Sequence, residues 1–135
     1  MLEFKDIDDN NYEEIDKHLK RENYIIPHFC KIIDDYKVMF DGPHFIGIIS
    51  LMYGKQIGMV NDLFIRKEFR NSIYFKYIVR YAFEEFKKKG LEIFIFQVNI
   101  DDIRSINFHT KRGAKYLGYK INFISYTKTY HDRVK

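Results

Sequence analysis

The sequence predicts an α/β (α+β) fold in a single domain over residues 1–135. The expected sheet is mixed and mainly antiparallel, of six to seven strands, with one parallel βαβ crossover and three to four helices. Three observations predict it. Between Tyr36 and Arg66, short apolar runs are separated by Asp41-Gly42-Pro43 and Tyr53-Gly54-Lys55, which reads as a meander of antiparallel strands. From Phe75 to Phe86, apolar residues recur at helical spacing. The nearly all-apolar run Glu92 to Val98 follows that helix directly, so the strands before and after it are expected to be parallel. A length of 135 residues fits one domain, and 46% hydrophobic residues are enough for a core.

In chain order, Leu2 to Lys5 suits a short strand, and Asn10 or Asn11 can cap a helix running to about Lys20. Residues 22–34 stay ambiguous, a partly helical segment interrupted at Pro27. Tyr36 to Phe40 and His44 to Met52 read as a hairpin across Gly42-Pro43, and Gln56 to Arg66 as the third strand of the meander. Phe75, Ile78, Val79, Ala82, Phe83 and Phe86 then form one apolar helical stripe. Asn71 or Ser72 can cap its start. Lys87 to Lys89 suit the negative end of its dipole, and Gly90 its C-terminal turn. Glu92 to Val98 reads as a strand covered on both faces. Asp101 or Asp102 caps a shorter helix to about Lys111, which Gly113 ends. Lys115 to Tyr130 supplies one or two last strands, with Tyr119, Ile121 and Phe123 alternating against Lys120 and Asn122.

Composition removes several function classes. No apolar run approaches the ~18 residues of a membrane span. The acidic, polar start MLEFKDIDDNNYEEID is not a signal peptide, so the expected location is the cytoplasm. Cys30 is the only cysteine, which rules out an internal disulfide and any metal site of several cysteines. His18, His28 and His131 show no metal-ligand spacing, so no metal is expected. The net charge of +4 suits an anionic partner, with Arg66, Lys67, Arg70, Lys76, Arg80 and Lys87 to Lys89 gathered in one region. A nucleic-acid face built from Tyr74, Tyr77, Tyr81, Lys76 and Arg80 is the weakest of the readings, because no nucleic-acid-binding signature accompanies those residues.

Three segments carry a more specific reading. YKVMFDGPHFIGIISL is a strand, a turn and a second strand that carries Gly47. VNDLFIRKEFR is a strand with Leu63 and Ile65 in apolar positions and Arg70 at its end. VNIDDIRSINFHTKRGA holds Val98, Asn99, Ser105, Phe108, Lys111 and Gly113. In this order and spacing, over roughly residues 36 to 130, the chain resembles the GNAT superfamily of acetyl-CoA-dependent N-acetyltransferases. His109 stands where that family usually has Tyr, and Ala114 where it usually has Phe.

The resemblance implies acetyl-CoA as co-substrate and a small-molecule or protein amine as acceptor. Neither nucleic acid nor membrane is an expected partner. The oligomeric state stays open, with a homodimer among the assemblies the family uses. In the family the two parallel strands splay to admit the pantetheine arm, which pairs with the backbone of the fourth strand; here Leu63, Phe64 and Ile65 would supply it. The cofactor loop would be Arg70, Asn71, Ser72, Ile73, Tyr74, Phe75 and Lys76, with Asn99 and Asp102 from the following strand and helix. General physics supports an anion at this place, because a helix N-terminus at the carboxyl end of a parallel strand offers free N–H groups and a favourable dipole.

The family pattern at that loop is Arg/Gln-x-x-Gly-x-Gly/Ala, whereas Ile73 and Phe75 occupy the glycine positions here. Glycine tolerates positive φ and close backbone approach; a β-branched residue does not. Either the chain keeps an ordinary helical turn with these side chains pointing away, or the phosphate cradle is altered. For the chemistry, Asp62 on the fourth strand is the candidate base, with a solvated strand carboxylate as the alternative. A bulge would exchange it with Asn61. His109 is the candidate acid for the leaving thiolate, with a helix-face histidine packed on the sheet as the alternative. Two functions follow: an N-acetyltransferase acting by direct transfer to an amine, or a degenerate, non-catalytic binding or interaction protein on the same fold.

Overall fold

A computed structural model describes residues 1–23, 35–70, 72–99, 101–116 and 121–127. The elements are β1 (Leu2–Asp6), α1 (Tyr12–Arg21), β2 (Asp35–Asp41), β3 (His44–Tyr53), β4 (Ile57–Ile65), a 3-10 turn (Lys67–Phe69), α2 (Ser72–Lys88), β5 (Ile93–Asn99), α3 (Ile103–Lys111), β6 (Lys115–Tyr116) and β7 (Ile121–Thr127). The strands hydrogen-bond in the order β1-β2-β3-β4-β5-β7-β6. β1 runs antiparallel to β2, from Leu2 opposite Asp41 to Asp6 opposite Lys37. β4 and β5 run parallel, from Ile57 opposite Ile93 to Val60 opposite Phe96. β7 returns antiparallel to β5, and β6 pairs antiparallel with β7. The two residues between β2 and β3 leave room only for an antiparallel return. The fold is therefore mixed and mostly antiparallel, with one parallel pair and, among the described residues, three α-helices.

The chain forms two compact units, Met1–Ser50 with Asp62–Ile78 and Leu51–Asn61 with Val79–Lys135. In the first, Ile15 and Leu19 of α1 join Tyr36, Val38 and Phe40 of β2, Phe45 and Ile48 of β3, and Phe64 of β4 in one core. The two helix residues are four apart and so share a face. In the second, Phe83 and Phe86 of α2 pack on Phe94 at 5.2 and 5.4 Å between ring centroids, and Phe83 meets Phe96 at 5.5 Å. Phe86 also fits over Gly58 of β4, where an added Cβ would lie 2.4 Å from its ring. The stripe expected from the sequence is present: Ile78, Val79, Ala82, Phe83 and Phe86 are fully buried, while Phe75 is half-buried.

α2 and α3 stop by the same device. After α2, Leu91 N–H donates to the Phe86 carbonyl and Gly90 N–H to that of Lys87, with Gly90 at φ 71°. After α3, Ala114 N–H donates to the His109 carbonyl and Gly113 N–H to that of Thr110, with Gly113 at φ 93°. Both are Schellman endings, in which the left-handed residue is glycine because a Cβ would be strained there.

Two local expectations change. Asn11 is the N-cap of α1 but makes no side-chain cap bond; its Oδ1 instead accepts from Asp8 N–H at 2.9 Å. The Asp8 carboxylate in turn accepts from Asn10 and Asn11, so the turn before the helix holds these groups. β5 is not covered equally on both faces: Phe94, Phe96 and Val98 are buried, but Ile93 is exposed and Ile95 half-buried. The aromatic residues of α2 seal one face only. Most of the ambiguous 22–34 segment, and the side chains of Tyr119, Lys120, Ile121, Asn122 and Phe123, lie outside the described residues.

Candidate active site

The first group of candidate residues belongs to β4 and the turn after it. Burial along β4 does not alternate: Asn61, Asp62 and Leu63 are all half-buried, and Phe64 and Ile65 are both buried. Consecutive residues of a strand point to opposite faces, so both faces of β4 are covered to a similar degree here. β3 approaches β4 closely at this end. A Cβ on Gly47 would sit 2.2 Å from the Phe64 carbonyl oxygen and 3.1 Å from Ile65 Cα, so the two backbones touch where only glycine fits. Beside that point Arg66 N–H donates to the Ile46 carbonyl at 2.9 Å. Asp62 accepts a hydrogen bond from the Tyr36 hydroxyl at 2.8 Å on Oδ2.

Arg70 follows the 3-10 turn and folds back. Its Nε donates to the Ile65 carbonyl at 2.7 Å, its guanidinium pairs with Glu22 at 2.6 Å, and it lies over the Phe64 ring at 5.8 Å. The other oxygen of Glu22 accepts from Lys67 N–H at 3.1 Å. One carboxylate at the end of α1 thus closes the turn from Lys67 to Arg70 with both oxygens.

α2 begins at Ser72 as an ordinary α-helix. Asn23 is the only non-glycine residue at positive φ among those described, so Ile73 carries no left-handed strain. Its side chain is 60% exposed. Of the two alternatives left open by the sequence, the structure shows the helical turn with the side chain turned outward. Tyr74 donates its hydroxyl to Asp41 at 2.7 Å and meets Phe69 edge-on at 5.8 Å, which ties the first turn down. That hydrogen bond holds the Asp41 carboxyl below and the Tyr74 phenol above their ordinary ranges. Phe75 and Lys76 are half-buried, and no acidic residue occupies the first turn. Asn71 lies outside the described residues. The helix dipole favours an anionic group at this turn, while Asp41 on Tyr74 and Glu22 on Arg70 are the acidic groups beside it.

The second group of candidates belongs to β5 and α3. Asn99 closes β5, opposite Ile121 of β7. Asp102 caps α3, its Oδ1 accepting from Ser105 N–H at 3.1 Å. His109 is 1% exposed, 4.5 Å from the Phe96 ring and 5.3 Å from that of Phe108. Burial, with a smaller push from the charge of Arg112, lowers its pKa to about 3. Burial thus opposes the imidazolium and leaves a neutral ring with one N–H. Its surroundings fit the alternative reading, a helix-face histidine packed against Phe96 of the sheet. The structure adds two residues that sequence reasoning missed. Tyr36 reads as one more apolar member of the 36, 38, 40 alternation, and nothing near Glu22 marks it as a partner for Arg70.

A helix that follows a carboxylate-bearing strand of a mixed sheet, with one parallel pair, defines an α/β scaffold. The family model described as acetyltransferase (GNAT) family matches residues 3–114. The chain belongs to the GNAT acetyltransferase family. No curated protein sequence matches it. Solved structures resemble it throughout at low identity. Mutant forms of the spermidine/spermine N-acetyltransferase SpeG from Vibrio cholerae superpose with a TM-score of 0.80 at 11% identity, covering 99% of this chain and 98% of that one. The Vibrio cholerae spermidine N-acetyltransferase in complex with CoA and spermine gives 0.77 at 10% identity, covering 96% and 97%. The PaiA N-acetyltransferase from Thermoplasma acidophilum in complex with coenzyme A gives 0.73 at 13% identity, covering 94% and 99%. At these identities the likeness is one of fold.

Proposed function

We propose that the chain is a single-domain cytoplasmic N-acetyltransferase that moves an acetyl group from acetyl-CoA directly to an amine. The observation that carries this reading is the first turn of α2. Ile73 occupies a glycine position of the family pattern, yet it lies in a regular helical turn with its side chain in solvent. The glycine pattern is lost in sequence while the helical turn and its dipole, which favour an anion such as the cofactor's pyrophosphate, are kept. Acetyl-CoA supplies the acetyl group as an activated thioester. Leu63, Phe64 and Ile65 present the backbone for its pantetheine arm, with Arg70, Ser72, Tyr74 and Lys76 near the phosphates. Asp62 would take the proton that the attacking amine gives up, and the CoA sulfur would leave as a thiolate that takes a proton from water. His109 keeps α3 seated and has no part in proton transfer.

The second reading, a non-catalytic member of the family, has one observation in its favour: Arg70, the cation expected at the phosphates, is engaged by Glu22 and by the Ile65 carbonyl. Thermal denaturation with acetyl-CoA separates the two. A ligand at ~100 times its Kd stabilises by about 2.7 kcal/mol. Such a shift, followed by thiol release with an amine panel that includes spermidine and spermine, supports the enzyme. No shift at millimolar acetyl-CoA overturns it.

A further inference from the structure

The structure assigns Tyr36 as the positioning residue for the Asp62 carboxylate, a role that rests on the acetyltransferase reading above. Tyr36 is on β2, 26 residues from Asp62, and donates its hydroxyl to Asp62 Oδ2 at 2.8 Å. Its ring belongs to the core with Val38, Phe40, Phe45, Ile48 and Phe64, and the residue is 6% exposed. Phenylalanine would fill that place equally well for packing. The hydroxyl is what distinguishes the residue, and its partner is the one carboxylate on β4. A buried tyrosine hydroxyl finds a partner, and a hydrogen bond to a charged group is stronger than a neutral one.

The geometry has a consequence for the carboxylate. Asp62 is half-buried on β4, so close packing does not by itself set the direction of its carboxylate. A short side chain there has several rotamers. The Tyr36 hydroxyl, carried on a ring locked in the core, selects one. A base contributes fully only when held within hydrogen-bond reach of the proton it removes. Tyr36 touches neither substrate in this assignment; it acts through Asp62.

The test is a double-mutant cycle on turnover, with thiol release as the assay and acetyl-CoA thermal shift as the control for binding and folding. Tyr36→Phe keeps the ring and removes the hydrogen bond. It is expected to lower kcat about tenfold while leaving KM for acetyl-CoA and the thermal shift unchanged. In an Asp62→Asn background the same substitution is expected to cost less than twofold, because the group it positions is gone. Losses that simply multiply in the double variant overturn the assignment, as does an unchanged kcat in Tyr36→Phe. A wild-type protein that shows an acetyl-CoA shift but turns over no amine overturns both the transfer reading and this role. An active wild type with an unaffected Tyr36→Phe overturns the role alone.

Discussion

Gly47→Ala tests the contact between β3 and β4 that shapes the proposed cofactor strand. An alanine Cβ would stand 2.2 Å from the Phe64 carbonyl oxygen, 3.2 Å from its carbon and 3.1 Å from Ile65 Cα. A carbon–oxygen contact relaxes at about 3.2 Å, so the Phe64 peptide must retreat by about 1 Å. No rotamer change relieves this, because every close atom is backbone. The retreat also strains the neighbouring bond from Arg66 N–H to the Ile46 carbonyl, 2.9 Å long. Overpacking costs about 1–3 kcal/mol and a weakened backbone bond about 1 more, for a total of about 3 kcal/mol. At about 2.1 cal/mol/K per residue, 135 residues have an unfolding entropy of about 0.28 kcal/mol/K. The expected loss in Tm is therefore about 10 °C by calorimetry. If acetyl-CoA pairs with Leu63 to Ile65, its Kd rises in the same variant. A Tm within 2 °C of wild type would refute the close approach.

Gly58→Ala makes a similar overlap with a side chain instead of backbone, the Phe86 ring at 2.4 Å, so a smaller loss of about 1–2 kcal/mol is expected by chemical denaturation. Phe86→Leu in the same chain should restore part of it. Ser50 is fully buried, and its hydroxyl has no hydrogen-bond partner among the described residues; Ser50→Ala should leave Tm unchanged or raise it. Glu22→Gln removes the charge that engages Arg70, and calorimetric titration should show acetyl-CoA binding a few-fold tighter, by about 0.5–1 kcal/mol. Weaker binding there would mean that Glu22 instead holds the turn in its binding form. For His109 the folded pKa of about 3 lies below the ordinary 6.5. Between those values the unfolded chain binds a proton that the folded chain refuses. The stability is thus complete above pH 6.5 and falls by about 1.4 kcal/mol per pH unit as the pH drops toward 3. His109→Phe should flatten that slope relative to wild type, measured by urea denaturation across pH.

What the sequence allowed to be read follows from how local each cause is. The stripe on α2, the glycines that end α2 and α3, and the meander turns are set by residues a few positions apart, and each stands where periodicity and turn chemistry place it. The one-sided burial of β5 was not local. It depends on how far the aromatic residues of α2 reach, which the apolar run at 93–98 does not encode. The Tyr36–Asp62 and Glu22–Arg70 pairs span 26 and 48 residues, and neither partner's neighbours hint at the other. His109 shows the same limit. Spacing puts it at a family position, but only burial decides whether the imidazole can carry a charge.

If the start of α2 binds the cofactor as proposed, a missing motif and a missing site are different things. A glycine pattern records one solution to a geometric demand: N–H groups aimed at an anion, with no side chain in the way. The demand is on φ and on side-chain direction, not on residue type. Ile73 meets the first part because its turn is helical, and the second because its side chain is in solvent. Tyr74 then supplies by its bond to Asp41 an anchorage that a glycine-rich loop would lack. Gly47 makes the complementary point, since there the demand is a distance of 2.2 Å that no Cβ can satisfy. Of these positions, Ile73 is therefore the tolerant one and Gly47 the fixed one, the reverse of what the family's glycine pattern at the loop would suggest.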